Sequence, residues 1–485
     1  MQDAILILDH DAALAGLIAR TLRSQQIYCK PVSSRITLAQ ALRQSPRGLI
    51  LAARQDAPTT LSGLDLSLLT AGLPVLALGA MAPALCLHYG GTVLHREGES
   101  ENITLGLEDQ PLFEGMTRGE RMLHALYDLT LPQGLACLAT ATERCIGFTG
   151  EGGKLYAIQY PIERNDPDAI QLLRNFATLV CGMEPLWSEG YIIDRAVEGI
   201  RAAAGGNRVL CAVSGGVDSA VCARLAHMAV GDRLVCVFVD TGLFRRGEPQ
   251  AVIESFMETM GLVVAYEDAQ ETYLNALRGV TLAADKERIA SSLLRQVFEK
   301  QHSFDPELHI LVLGTNYNDT LYGFTPPKAP AGEAETPPLA VCEPVRGLFK
   351  DEVRRLAKAL SLPGSIADRQ PFPASGLALR IYGEITPERL ETLRKADAFF
   401  SEEIFAGGHE RKLWQYYAAM GENPDDRDGY VIILRASQAC SGNACASRLP
   451  YDLLERVVER ILAELPEVTR VLYDMTPSQH YSLME

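Results

Sequence analysis

Apolar residues in the N-terminal part of the chain alternate between short continuous runs and stretches with helical spacing. The runs are typical of buried parallel strands, and the stretch 12–22 is typical of an amphipathic helix. The predicted strands are 4–8, 48–51, 75–78 and 156–159. This alternation predicts an α/β layer, in which helices cover a mostly parallel sheet.

A second alternation of the same kind begins at Val209, after a predicted connecting helix. Beyond residue 380 the pattern changes to a strand between two helices, which indicates a smaller α+β domain. The predicted strands of this part are 234–239, 263–266, 310–313 and 430–435, and the predicted helices are 187–201, 249–260, 387–400 and 451–465. The predicted domains are therefore 1–186, 187–380 and 381–485.

Composition narrows the class of protein. The 485 residues suffice for roughly two to four domains. A net charge of -16 argues against a protein that follows a nucleic-acid backbone, because such proteins need clustered Lys and Arg. The 11 Cys residues lack the paired spacing of a zinc site and predict reduced thiols in the cytoplasm. Neither a signal peptide nor an apolar run of ~20 residues is evident, so we expect no export and no membrane insertion.

Residues 209–219 read Val-Leu-Cys-Ala-Val-Ser-Gly-Gly-Val-Asp-Ser, an apolar strand that breaks into a Gly-rich turn before a helical stretch. Gly215 and Gly216 permit a sharp turn that an anion can approach closely. Ser214, Ser219 and the first amides of the helix supply donors at the positive end of the helix dipole. A carboxylate among phosphates needs a shared metal ion, so we interpret Asp218 as a Mg2+ ligand. The alternative is an ordinary strand-to-helix turn in which Asp218 caps the helix.

The segment from Ser214 to Ser219 resembles the PP-loop of the ATP pyrophosphatases, which adenylate a carbonyl oxygen and release pyrophosphate. Further segments follow the order and spacing of GMP synthase, from about residue 3 to about residue 475. They are 237–245, 314–319, 348–354, 371–380 and 449–452. The resemblance implies a degenerate class I glutamine amidotransferase-like domain, an adenine nucleotide alpha hydrolase-like ATP pyrophosphatase domain and a small α+β dimerisation domain, and hence a homodimer.

The resemblance also implies roles for individual residues. The predicted catalytic residues are Asp218 and Lys350, although a lysine at a helix start more often faces solvent. Asp218 and Asp319 would hold Mg2+, with a turn role as the alternative for Asp319. Arg245, Arg380 and Arg435 would contact the acceptor substrate. The residues expected to bind ATP are Ser214, Gly215, Gly216, Val217, Asp218, Ser219, Val239, Gly314 and Thr315.

The amidotransferase chemistry needs a Cys nucleophile on a Gly-rich elbow, a His base with a Glu behind it, and backbone amides for the oxyanion. In the resemblance, Gly79 occupies the nucleophile position and Pro161 the position of the base, so Glu163 has nothing to orient. The Ser-Gly-Gly turn of the glutamine site reads Ala-Ala-Arg at 52–54. Cys86 is interpreted as a buried structural thiol in the following helix rather than a relocated nucleophile. We therefore expect a domain that cannot hydrolyse glutamine and keeps a structural or interaction role.

The acceptor site also departs from the family pattern. The lid segment at 325–332 retains Lys328 but no His pair, and 476–485 lacks the phosphate-binding lysine of the family's C-terminus. Loss of that cation removes a charge-assisted contact of about 1.5–3 kcal/mol. Binding of XMP by the family's usual route is therefore in question, with Arg380 and Arg435 left to carry part of it.

Three functions follow from these observations. An ATP- and Mg2+-dependent C–N ligase would adenylate an oxo group of XMP or a related purine or heterocycle, and ammonia or another nucleophile would then expel AMP. A diverged paralogue would adenylate a different substrate, with or without a phosphate. A catalytically silent regulator or binding protein is the third, and the intact loop at 214–219 argues against it.

Overall fold

A computed structural model describes residues 3–476 except for 55, 58–59, 96–100, 118–119, 124–126, 142, 318, 320–338, 371, 373–374, 424–425 and 441–442. The chain divides into two compact units, Met1–Tyr191 and Ile192–Glu485. None of the helices in the described ranges combines the length and the apolar character that crossing a membrane requires.

The N-terminal unit is built on a mixed sheet. Its strands are β1 (Ala4–Asp9), β2 (Cys29–Ser33), β3 (Pro46–Ala53), β4 (Val75–Gly79), β5 (Thr92–His95), β6 (Glu101–Leu107), β7 (Glu120–Leu123), β8 (Tyr127–Thr130), β9 (Ala136–Ala141), β10 (Arg144–Gly150) and β11 (Leu155–Ile158). Its helices are α1 (Ala12–Ser24), α2 (Leu38–Leu42), α3 (Met81–His88) and α4 (Pro167–Asn175), and α5 (Glu189–Ala204) contains the boundary between the units.

The sheet of this unit has the order β2-β1-β3-β4-β11-β10-β9-β6-β7. Neighbours from β2 to β11 run parallel, and those from β11 to β7 run antiparallel. The parallel half carries the buried apolar runs, and the predicted strands 4–8, 48–51, 75–78 and 156–159 are confirmed there as β1, β3, β4 and β11. The antiparallel half was not predicted.

The C-terminal unit contains two sheets. Its strands are β12 (Arg208–Ala212), β13 (Leu234–Asp240), β14 (Val264–Asp268), β15 (Leu308–Val312), β16 (Ala340–Cys342), β17 (Gln415–Asn423), β18 (Asp426–Cys440), β19 (Asn443–Ala446) and β20 (Val468–Tyr473). Its helices after α5 are α6 (Val217–Val230), α7 (Glu248–Met260), α8 (Gln270–Ala276), α9 (Ala283–Phe304), α10 (Lys350–Ala359), α11 (Gly364–Ala367), α12 (Pro387–Ala406) and α13 (Tyr451–Glu464).

The first of these sheets is parallel, with the order β14-β13-β12-β15-β16. The chain moves outward from β12 in one direction and then returns to build β15 on its other side. The crevice between β12 and β15 is therefore the switch point of the sheet, where open α/β folds bind ligands beyond the carboxyl ends of the strands. The Gly-rich turn follows β12, and Gly314 and Thr315 follow β15, so the topology places both at this crevice.

The second sheet joins β17, β18 and β19 antiparallel and adds β20 parallel to β18. One hydrophobic core cluster includes residues of both sheets and of the helices between them, among them Leu210, Leu311, Phe400, Ile432 and Val457. Helices α12 and α13 confirm the predicted α+β character of this part. The division into three domains stays a prediction.

Candidate functional site

The turn between β12 and α6 has a backbone that only glycine can supply. Gly215 has a φ of +78°, in the left-handed region that L side chains rarely adopt. A Cβ atom at this position would lie 2.3 Å from Val252 Cγ2 of α7 and 2.5 Å from an Nη atom of Arg369. The loop therefore passes close beneath α7 and the Arg369 side chain, and any larger residue at Gly215 would displace it.

Hydroxyl groups fix the loop from within. Ser219 Oγ donates to the Gly216 carbonyl at 3.0 Å and accepts from the Ser214 amide at 3.1 Å. Ser214 is exposed, and its Oγ lies 3.2 Å from Ser219 Oγ. Helix α6 starts after Gly216 without a side-chain cap, and the Val217 side chain is buried. The backbone amides of this first turn are thus the groups that face outward, as in anion sites at helix N-termini.

Gly314 lets the two sides of the crevice meet. A Cβ atom there would lie 2.8 Å from the Ser219 amide nitrogen and 3.1 Å from its Cα. The backbone after β15 therefore touches the start of α6 directly. Thr315 is buried next to it, and its Oγ1 has no hydrogen-bond partner among the described residues.

Asp218 and Lys350 meet in this crevice although 132 positions separate them in the chain. Lys350 Nζ donates to Asp218 Oδ2 at 2.6 Å, and both side chains are largely buried. Asp218 Oδ1 is buried without a hydrogen-bond partner in the described part of the chain. Such an atom carries a desolvation cost that a bound cation or donor would relieve. The first residue of α10 thus faces the candidate phosphate site.

Asp319 lies within electrostatic range of this pair. Its carboxylate accepts from the Asn316 amide at 2.8 Å, and the Asn316 side chain accepts from the Asp319 amide at 3.3 Å. Burial raises the pKa of Asp319, Asp218 and Glu343 act in the same direction, and the Asn316 hydrogen bond and Lys350 oppose them. The turn role considered for Asp319 is therefore present, and its metal role stays a prediction.

The donor set around Asp218 suits a hard cation. Mg2+ is usually held by one or two carboxylates together with substrate phosphates. Within the described residues, no three His, Cys, Asp or Glu side chains form a metal cage by themselves. The partnerless Asp218 Oδ1 and the nearby Asp319 carboxylate fit a Mg2+ ion whose remaining ligands come from a nucleotide.

Two of the predicted acceptor arginines share one buried carboxylate. Arg245 Nε lies 2.9 Å from Asp397 Oδ2, an ion pair without hydrogen-bond alignment, and Arg380 Nη1 donates to Asp397 Oδ1 at 3.5 Å. The Arg380 side chain is only 1% exposed and lies against the rings of Phe372 and Tyr417. Burial lowers the pKa of Arg380 to about 10. Contact of Arg380 with a substrate would require this packing to open.

Arg435 has a different setting. Its guanidinium pairs with Asp474 at 2.6 Å and donates to the Thr476 carbonyl at 2.9 Å. The carboxylate offsets the charge that was expected to bind an acceptor. Val239 is buried next to the last residue of β13, the strand that pairs with β12 on the side away from β15. The predicted lid at 325–332 with Lys328, and residues 477–485, lie outside the described residues.

Sequence reasoning missed several charged residues that hold the site together. Arg369 donates to the Gly215 carbonyl and pairs with Glu248 of α7. Arg394 of α12 donates to the carbonyls of Gly242 and Phe244, in the loop after β13. None belongs to a recognisable local motif, because each acts on a backbone far away in sequence. The signal for Arg369 was its position two residues before the family-like segment at 371–380.

The corresponding edge of the N-terminal unit has the backbone of a nucleophile elbow without its chemistry. Gly79 ends β4 with a φ of +62°, and α3 follows. A Cβ atom at Gly79 would lie 2.0 Å from the Ala53 carbonyl oxygen. That oxygen also accepts from the Ala80 amide at 3.3 Å. In nucleophile elbows the amide after the nucleophile binds the oxyanion. In this chain that amide belongs to Ala80, and the Ala53 carbonyl occupies the place of the oxyanion.

The strand beside the elbow carries no base. Strand β11 pairs with β4 in parallel register, Ile158 beside Leu78, so residues 159–161 follow at the same edge as Gly79. Gln159 is buried, and its amide bonds the backbone of Tyr127 and Ile146. Glu163 is exposed. Nothing at Pro161 can accept a proton.

Cys86 is buried in α3, as predicted. Its Sγ lies 3.7 Å from the Thr130 carbonyl, and burial raises the pKa of the thiol. Both observations disfavour a reactive thiolate.

Comparisons with known proteins identify similar domains and relatives. Residues 192–378 match the family model described as NAD synthase, and residues 402–481 match the model described as GMP synthase C terminal domain. A protein of Symbiobacterium thermophilum named GMP synthase [glutamine-hydrolyzing] is 35% identical, over 98% of this chain and 97% of its own length. The protein of the same name from Parafrankia sp. is 36% identical, over 98% of this chain and 95% of its own.

Proposed function

This chain belongs to the GMP synthase family, and on that premise we propose that it is an ATP-dependent C–N ligase that forms AMP and pyrophosphate. The acceptor would be an oxo group of XMP or a related purine or heterocycle. In the first step the oxo oxygen bonds to the α-phosphorus of ATP and pyrophosphate leaves. In the second step ammonia bonds to the same carbon, AMP leaves with the oxygen, and the amine loses a proton.

The observation that carries this proposal is the Asp218–Lys350 pair at the uncapped start of α6. The first-turn amides of α6 can bind the β- and γ-phosphates. The Lys350 ammonium can exchange its hydrogen bond to Asp218 for one to a phosphate oxygen while it stays in the crevice. Because Gly314 has no side chain, a nucleotide can lie directly against the backbone on this side of the crevice. The residues thereby position the α-phosphorus and offset the charge of the departing pyrophosphate.

Asp218 and Asp319 would hold Mg2+ in this arrangement. Bound there together with the nucleotide phosphates, the ion would neutralise phosphate charge. Asp218 Oδ1 is available for it, while Oδ2 keeps Lys350 oriented.

A panel assay would test the ligase. Pyrophosphate release with MgATP and ammonia should rise above the acceptor-free rate for at least one member of a panel of XMP, xanthosine, xanthine and other oxo-heterocycles. A rate that stays at the acceptor-free level across the panel, with ATP bound, would favour the silent regulator instead.

The neutralisation of Arg435 by Asp474 favours a second candidate for the acceptor, a substrate without a phosphate. The same panel separates the two candidates. A nucleotide acceptor should lose most of its rate when its phosphate is removed, whereas an acceptor that needs no phosphate should react equally well as nucleoside or base.

We also propose that the N-terminal unit does not hydrolyse glutamine. The Ala53 carbonyl occupies the space of a nucleophile, and Pro161 offers no base. Glutamate formation from glutamine should therefore equal the buffer rate, with or without MgATP. Glutamate formation above the buffer rate would contradict this proposal. A faster ligase reaction with ammonia than with glutamine would agree with it.

A homodimer formed through the C-terminal part is proposed from its exposed apolar side chains. Phe405, Tyr451, Leu472 and Met475 are each between 46% and 75% exposed. The segment 449–452 also resembles the corresponding segment of the family's dimerisation domain. Light scattering at micromolar concentration should give twice the 52.9 kDa of the chain, and the monomer mass would refute the dimer. The free cysteines of the described residues suit the cytoplasmic setting that we propose with it.

A further inference from the structure

The peptide between Gly215 and Gly216 has two possible faces toward a ligand. In a trans peptide the carbonyl and the N–H point in opposite directions. With the N–H turned toward the crevice, the loop offers a donor to phosphate, and with the carbonyl turned there it offers a negative dipole. Because glycine tolerates both orientations, the loop sequence by itself does not choose between them.

Arg369 makes that choice. Its Nη1 donates to the Gly215 carbonyl at 2.6 Å, which holds this oxygen on the side of α7 and away from the start of α6. The Gly216 N–H then points to the opposite side, where its contact with Ser214 Oγ is long, at 3.4 Å. A phosphate oxygen can replace such a weak acceptor at little cost.

The guanidinium is itself held in place. Its Nη2 pairs with Glu248 Oε1, and the Glu248 side chain is only 6% exposed. The second oxygen of Glu248 accepts from the Arg245 amide at 2.9 Å, which fixes the entry into α7. Arg354 of α10 donates to the Arg369 carbonyl at 3.3 Å and anchors its backbone. The planar fork bridges a carbonyl and a carboxylate at once, which the single ammonium of lysine cannot reproduce.

We propose that Arg369 is a positioning residue for nucleotide binding: by holding the Gly215 carbonyl outward, it directs the Gly216 amide at the phosphates of ATP. The inference rests on the proposed function and deepens it. Arg369 does not touch the nucleotide. Its effect reaches the phosphates through one peptide group.

The test measures MgATP binding directly, by calorimetry, and does not depend on knowing the acceptor. Arg369→Ala should weaken MgATP binding by about 10-fold or more, the usual effect of losing a charge-assisted hydrogen bond. Arg369→Lys should recover little of the loss, and methylguanidine added to Arg369→Ala should recover part of it. Arg355→Ala removes an exposed arginine that pairs with Asp351 on α10 and should leave the affinity unchanged.

The results separate the possible errors. If the parent binds MgATP and a folded Arg369→Ala binds it equally well, the positioning role is wrong while the ligase proposal stands. If Arg369→Ala is unfolded, Arg369→Lys decides, since parent-like affinity in this variant would overturn the role of the fork. If the parent itself does not bind MgATP, the proposed function fails and this inference fails with it.

Discussion

In both units a set of parallel strands ends at an edge of the sheet where a ligand could bind. A backbone amide faces the edge in one unit, whereas a backbone carbonyl faces it in the other. Beyond β12 the Gly215 carbonyl is held outward by Arg369, so the Gly216 amide just before α6 is turned toward the crevice. Beyond β4 the Ala53 carbonyl faces inward and takes the Ala80 amide that a nucleophile elbow would leave free. Each turn contains a glycine with positive φ, Gly215 or Gly79.

The difference shows that backbone shape and site chemistry can separate. The elbow of the N-terminal unit keeps the left-handed residue although nothing reactive is attached to it. The loop of the C-terminal unit keeps the same kind of residue together with charged groups that orient its peptides. The orientation of the amides and carbonyls at each edge is therefore the better guide to activity. A resemblance in fold alone would assign catalytic chemistry to both edges.

The largest expected effect comes from removing the charge of Asp218. Asp218→Asn keeps the size of the side chain and its ability to form hydrogen bonds, but it abolishes the ion pair with Lys350 and the proposed Mg2+ ligand. Pyrophosphate release, in an assay where the parent is active, should fall at least ~100-fold, equivalent to about 2.7 kcal/mol of transition-state stabilisation. The thermal midpoint should hardly change.

Asp351→Asn is the matched control for this variant, because Asp351 is an exposed carboxylate of α10 that pairs with Arg355. It should retain the parent rate. A parent-like rate in Asp218→Asn would show that the charge of Asp218 is not needed for pyrophosphate release, and its catalytic role would then be wrong.

Restoring a thiol at the elbow should fail, for a physical reason. Gly79→Cys places a Cβ atom 2.0 Å from the Ala53 carbonyl and forces a side chain into a φ of +62°. We expect a loss of about 1–3 kcal/mol from the backbone conformation and a comparable loss from the collision, with no glutamate formed from glutamine. Denaturant unfolding and a glutaminase assay measure the two effects.

Gly152→Cys separates the two costs. Gly152 has a φ of +64° and no atom within 4 Å of its added Cβ, so this variant should show only the cost of the backbone conformation. Equal losses in Gly152→Cys and Gly79→Cys would mean that the Ala53 carbonyl yields easily, and the elbow would then be open to a nucleophile.

The smallest effect concerns Asp9, which ends β1 at the edge of the N-terminal unit. Burial raises the pKa of Asp9 above 3.8, and Asp11 adds to the shift. Between 3.8 and the raised pKa the folded state binds more protons than the unfolded state, so stability falls as the pH rises through this window. At neutral pH both states are ionised and the burial cost is fully present.

Asp9→Asn removes this cost and should stabilise the protein at pH 7 by about 0.5 kcal/mol. The gain should shrink as the pH approaches 3.8. Asp3→Asn, at an exposed carboxylate paired with Arg47, serves as control and should show no such trend. A loss of stability in Asp9→Asn would show that Asp9 makes a favourable contact as an anion. The same Asp-to-Asn change is thus expected to raise stability at Asp9 and to lower activity at Asp218.

The parallel strands were predictable because strands buried on both faces are continuous apolar runs, as in β1 and β4. Strand β9 was missed because its Ala and Thr residues are small or polar and partly exposed. Helix α9 was missed because two of its four buried residues, Lys286 and His302, are not apolar. Buried polar residues of this kind break the pattern on which sequence prediction depends.

The candidate site was predictable as far as local motifs extend. Ser214 to Ser219 identified the loop, and Lys350 was found through a family resemblance. The contact between Asp218 and Lys350, and the bridge from Glu248 to Arg369, join residues more than a hundred positions apart. Such pairings follow from strand order and helix packing, which no single stretch of sequence encodes.

The core cluster shared by the two sheets of the C-terminal unit has a consequence for how this protein can be recombined. Leu210 and Leu311 below the nucleotide crevice belong to the same core as Ile432 and Val457. A chimera joined near residue 380 would pair halves of two cores that had not evolved together, with mismatched volumes across the joint. A chimera joined within α5 would inherit each core whole. Exchange of segments between relatives should therefore be tolerated near Tyr191 and selected against near residue 380.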